Sequence, residues 1–85
     1  MEKDFQKTNS ADSLNFRFVW SDNFRIFTSF NNNTFVIKAN KEGLESLGKQ
    51  LIQLSQDEIP EGTHLHYDEY NSLEDNSVNF IIEKE

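Results

Sequence analysis

Apolar and polar positions alternate along most of this chain, and the period changes once. From Leu14 to Trp20, Leu14, Phe16, Phe18 and Trp20 fall on one side, with Asn15, Arg17 and Val19 on the other. Period-two alternation in aromatic residues predicts a half-buried strand. Ser21, Asp22 and Asn23 form a turn cluster. The run from Phe24 to Phe30 predicts a second strand, with Phe24, Ile26 and Phe30 opposite Arg25, Phe27 and Ser29. Asn31, Asn32 and Asn33 make a second turn, because asparagine tolerates left-handed backbone. Thr34 to Ala39 predicts a third strand, and short turns make the three an antiparallel meander.

At Asn40 the period becomes helical. Leu44, Leu47, Gly48, Leu51, Ile52 and Leu54 form one apolar stripe. Asn40 is a suitable N-cap, and Glu42 and Glu45 suit the positive end of the helix dipole. The predicted helix spans about 41–56, with Pro60 and Gly62 beyond its end. Gly48, on the stripe, is expected to let the helix approach a sheet closely. Thr63 to Asp68 predicts a fourth strand, Glu69 to Asn76 a polar loop, and Ser77 to Glu83 a fifth strand.

The predicted fold is therefore α+β: a five-stranded, mainly antiparallel sheet in βββαββ order, with one amphipathic helix on one face. Its core would hold Phe16, Phe18, Phe24, Ile26, Phe35, Ile37, Leu65, Tyr67, Val78, Phe80 and Ile82, with the helix leucines. Residues 1–12 read as a weakly ordered arm anchored only by Phe5, and residues 13–85 as a single domain. Val19, Phe27, Val36 and Ile81 would lie on the sheet face that the helix leaves open. Such a patch fits a homodimer or partner contact, unless the arm folds over it with Phe5 as a plug.

Composition narrows the function. A chain of 85 residues has little room for a core and a deep substrate cleft together. There is no cysteine, so no disulfide or thiolate site exists, and reducing cytoplasm is the expected location. The first residues lack the apolar core of a signal peptide, and no apolar run approaches the roughly 18 residues of a membrane span. The net charge of −7 is uneven: residues 1–56 carry about +1, while residues 57–85 carry nine acidic groups against Lys84 alone, about −8. That half repels phosphate backbones, so nucleic acid is not an expected partner, whereas a basic protein is.

Two clusters could carry chemistry. His64, His66 and Asp68 stand two residues apart on one predicted strand face, a spacing that could ligate zinc but that a solvated strand shows equally well. Asp68, Glu69, Glu74 and Asp75 form a carboxylate cluster around Tyr70. Paired carboxylates serve glycosidases and calcium sites, but the chain is short for a cleft, and the loop lacks the acidic alternation and glycine of an EF-hand. A recognition patch with Tyr70 as anchor fits better. No phosphate-binding glycine loop and no nucleophile–base spacing is present, so neither an enzyme nor a cofactor is expected.

The segment from Ala39 onward resembles immunity protein family 32 of bacterial polymorphic toxin systems. Asn40, Lys41, Glu42, Gly43, Leu44 and Leu47 resemble that family's strand-to-helix entry. The run Gly62 to Asp68, followed by Asn71, Ser72, Leu73 and Glu74, looks like its signature, and Ile81 to Lys84 resembles its ending. The resemblance implies a cytoplasmic antidote that binds and neutralises a cognate toxin. The expected partner-binding residues are then Asp68, Glu69, Tyr70, Glu74 and Asp75, with His64 and His66 beside them. Asn71 and Ser72 could equally be turn formers, and Leu73 could tuck under the loop. Two alternatives stay open: a metal- or ligand-binding regulatory subunit using His64, His66 and Asp68, or a structural dimerisation module.

Overall fold

The computed structural model describes residues 17–85. The arm at 1–12 with Phe5, and the predicted strand positions Leu14 to Phe16, lie outside the described residues. The elements run β1 (Ile26–Asn31), β2 (Thr34–Ala39), α1 (Lys41–Leu54), β3 (His64–Tyr67) and β4 (Phe80–Glu83).

The five-stranded sheet expected from the alternation is not formed. Four strands make two separate antiparallel hairpins, β1–β2 and β3–β4, within an α+β arrangement. The reason lies first in residues 17–21. Their alternation is real, but their backbone partner is the helix. Ser21 N–H donates to Ser46 Oγ (2.9 Å), and Gln50 Nε2 donates to the Val19 carbonyl (3.5 Å). With its amide turned to satisfy both contacts, Gln53 accepts from Arg17 N–H (3.0 Å) and donates to the Arg17 carbonyl (3.1 Å). Every second residue of an extended segment thus meets one side chain per helical turn, because backbone groups taken out of water need a partner of some kind. The second reason lies between the hairpins. Glu74 N–H donates to the Ile26 carbonyl (2.8 Å) and Val78 N–H to the Thr28 carbonyl (3.2 Å), but Thr28 N–H turns to Ser77 Oγ (3.1 Å). A side chain replaces a backbone rung there, so no regular ladder joins β1 to β4.

The same contacts rotate the helix. Its buried residues are Gly43, Ser46, Leu47, Gln50 and Leu54, whereas Leu44, Leu51 and Ile52 of the predicted stripe are exposed. Asn40 caps it as expected: Oδ1 accepts from Gly43 N–H (2.8 Å) and also from Arg25 N–H (2.9 Å). The close-approach glycine is Gly43, not Gly48. A Cβ on Gly43 would stand 2.6 Å from the Arg25 carbonyl oxygen and 2.9 Å from Ile26 Cγ1, while a Cβ on Gly48 would meet nothing within 4 Å.

The β1–β2 turn follows the sequence closely. Asn32 and Asn33 have φ of 53° and 60°, the paired left-handed residues of a two-residue hairpin loop. The core is smaller than expected. Ile26, Leu47, Leu54, Leu65, Tyr67 and Leu73 are buried, with Phe18, Trp20, Phe24, Phe80 and Ile82 packed around them. Phe35, Ile37 and Val78, expected inside, are exposed. Tyr67 is the hub. Its ring stacks on Phe80 (centroids 4.7 Å) and meets Phe18 and Trp20 edge-on at 6.3 Å. Its hydroxyl donates to Gln50 Oε1 (2.7 Å).

Candidate partner-binding surface

Strand alternation sends Leu65 and Tyr67 of β3 into the core and leaves His64 and His66 on the outer face. The two imidazoles touch, with centroids 4.8 Å apart, and His64 Nδ1 lies 3.0 Å from the Gly62 carbonyl. Asp68 does not join them as a ligand. Its Oδ1 accepts from Tyr70 N–H (2.9 Å) and Asn71 N–H (3.0 Å). Among the described residues, no group of three or more histidine, cysteine, aspartate or glutamate side chains could hold a metal ion.

The loop after β3 is built by its own polar side chains. The Asp68 carbonyl accepts from Asn71, Ser72 and Leu73 N–H groups. Asn71 Oδ1 accepts from Asp68 N–H (3.2 Å), and its Nδ2 donates to the His66 carbonyl (2.9 Å). Leu73 is buried beneath and belongs to the core. Asn76, with φ of 71°, donates its N–H to Glu69 Oε2 and closes the loop. What this scaffold presents is Tyr70, whose side chain is 97% exposed.

The carboxylates separate into two groups. Asp68 and Glu69 flank Tyr70, whereas Glu74 and Asp75 line an open cleft of about 520 Å³ together with Arg25, Phe27, Lys38, Ala39 and Asn40. Arg25 and Lys38 are site-lining residues that sequence reasoning missed, whereas Phe27 was expected on a contact face but not beside the acidic pair. No local spacing links them to Glu74; the β1–β2 register sets Phe27 opposite Lys38, and the Glu74–Ile26 backbone bond brings the acidic pair alongside.

The open sheet face is also divided. Phe27 and Val36 share the outer face of β1–β2, and Ile81 lies opposite His66 on β3–β4. Val19 is not on that face; it lies beside the helix, bonded to Gln50.

Two open hairpins with exposed aromatic residues and an acidic loop, braced by one helix, define a small domain suited to surface contact. The family model for Immunity protein 32 matches residues 34–85, more than half of the chain. The chain belongs to that family, and the class implies binding of a cognate toxin. Searches of curated proteins and of solved structures find no match. The matched segment runs from the start of β2 to the C-terminal residue, so it includes α1, both strands of the second hairpin and the Tyr70 loop.

Proposed function

We propose that this chain binds and neutralises a cognate bacterial toxin without catalysis, and that the β3–β4 loop with its acidic surroundings is a contact surface. The observation that carries the reading is Tyr70, 97% exposed on a loop held by hydrogen bonds that the Asp68 and Glu69 carboxylates accept and the Asn71 amide donates. A preformed loop has little conformational entropy left to lose on binding, and tyrosine is among the strongest interface anchors. Asp68, Asn71, Ser72 and Leu73 build the loop, while Glu69 and Tyr70, with Glu74 and Asp75 nearby, meet the partner. His64 and His66 flank this surface on β3. The acidic half of the chain would steer a basic toxin, raising on-rates toward roughly 10⁸–10⁹ M⁻¹s⁻¹ at low salt. A cysteine-free sequence suits action in reducing cytoplasm.

Co-expression tests this. The product of the gene beside this one is expressed with and without the present protein, and growth is followed. Rescue from toxicity together with a co-purified complex is expected. A toxic neighbour that this protein neither binds nor neutralises would sink the reading.

A further inference from the structure

The gap between the two hairpins is an open groove of about 420 Å³, lined chiefly by Phe30, Phe35, Ile37, Val78, Phe80 and Ile82. Phe30 is 60% exposed, and Phe35, Ile37 and Val78 are each close to 40%. This is the part of the inner sheet face that α1 does not reach. Phe30 shares its side of β1 with the buried Ile26 and Thr28, and Phe80 and Ile82 share theirs with Tyr67 and Leu65.

Backbone edges flank the groove. On β1, the Ile26 and Thr28 carbonyls point away from β2 and accept from Glu74 and Val78. Alternation along the strand turns the Phe30 N–H and C=O to the same edge. On β4, Lys84 exchanges bonds with Gly62 and Thr63, and the register pairs Ile82 with Leu65 and Phe80 with Tyr67. Alternation then points the Ile81 N–H and C=O away from β3. Among the described residues neither Phe30 nor Ile81 has a further partner for these groups. A lone apolar patch says nothing about the shape of what covers it. An apolar patch bordered by unpaired strand edges calls for an extended segment, which supplies backbone rungs and alternate apolar side chains together.

Charge narrows the occupant further. The stretch beside the groove starts at Glu74 and Asp75, which share a cleft with Arg25 and Lys38, and ends at Glu83 and Glu85, between which Lys84 turns its ammonium to the Gln56 and Ile59 carbonyls. The acidic excess at the Glu83 and Glu85 end complements an apolar segment with a basic residue beside it. A second copy of this chain is a poor candidate, because each copy carries a net charge of −7 and would repel the other.

We propose that the groove receives an extended apolar segment of the cognate toxin with a basic residue beside it, which pairs with the backbone edges that the described residues leave open at Phe30 of β1 and Ile81 of β4. The proposal rests on the toxin-binding reading above and gives it a second contact, distinct from the Tyr70 loop.

Amide hydrogen exchange tests it, measured by NMR on the free protein and on its co-purified complex with the neighbouring gene product. The Phe30 and Ile81 amides exchange freely alone and slow at least about tenfold in the complex, as newly hydrogen-bonded amides do. Phe30→Glu keeps the wild-type melting temperature, since the side chain is already exposed, and weakens the complex about tenfold or more, because a carboxylate is buried without a partner. If the complex forms and protects the Tyr70 loop while both amides stay unprotected, the groove proposal is wrong and the toxin-binding reading stands. Protection already present in the free protein would assign the groove to this chain itself or, if it rises with concentration, to a second copy; either overturns the proposal. Failure of any complex to form would remove the reading beneath it as well.

Discussion

Two glycines one turn and a half apart along the same helix have opposite consequences. At Gly43 the helix start presses on β1, where a methyl group would clash with the Arg25 carbonyl and Ile26. Gly43→Ala should cost about 1–3 kcal/mol through forced separation of packed elements. Gly48 meets open space, so Gly48→Ala should gain up to about 1 kcal/mol from helix propensity alone. Urea unfolding of both variants checks the pair, and equal shifts would show that the helix does not sit on β1 as described. Tyr67 gives a second prediction. Burial raises its pKa well above the ordinary tyrosine value. The neutral phenol is thus favoured in the folded state. Its contribution is complete below the unfolded pKa of about 10 and is lost progressively as pH climbs above it. Tyr67→Phe removes this alkaline sensitivity. It also strands the Gln50 Oε1 acceptor in a residue only 1% exposed, costing about 1–3 kcal/mol at neutral pH. Melting curves of both proteins from pH 8 to alkaline conditions read the two effects separately.

At the scale of elements, hairpin and helix boundaries were largely legible. Paired asparagines define the β1–β2 turn, and Asn40 defines the helix start, because both act through local backbone geometry. The face of the helix was not legible. Ser46 and Gln50 are polar, and nothing in a hydrophobic period shows that they will be buried against the backbone of residues 19–21. The β3–β4 loop divides in the same way: its turn chemistry could be read, but the burial of Leu73 and the exposure of Tyr70 depend on what lies beneath. The loop separates structural from contact residues by experiment. Tyr70→Ala should leave the melting temperature unchanged and weaken toxin binding by about 2 kcal/mol, the loss expected of an interface anchor. Asn71→Ala should lower stability by about 1–3 kcal/mol, since it removes bonds that build the loop. Calorimetry and melting curves on the two variants decide; similar binding losses with no stability difference would contradict the division.

For the molecule as a whole, charge belongs to the sequence and its placement to the fold. The acidic excess in residues 57–85 was countable from composition. That half's one basic residue, Lys84, donates to the Gln56 and Ile59 carbonyls and pins the stretch after the helix. Glu74 and Asp75 lie in the β3–β4 loop and line a cleft together with Arg25 and Lys38, a neighbourhood that no count of charges shows. Reversing both with Glu74→Lys and Asp75→Lys should slow association with a basic toxin and flatten its salt dependence. Stopped-flow rates across an ionic-strength series check this, and an unchanged salt slope would exclude the pair from steering.

By itself the sequence determined what depends on near neighbours along the chain: the α+β content, the asparagine turns, the helix cap, the acidic half and the family match over residues 34–85. Only tertiary structure decided that the extended residues 17–21 pair with a helix instead of a strand, that Gly43 and not Gly48 is the contact glycine, and that the sheet divides into two hairpins with a groove between them. The physical reason is common to all three. Which group satisfies a backbone hydrogen bond, side chain or strand, and which glycine meets a neighbouring element, are both settled by packing between residues far apart in the chain.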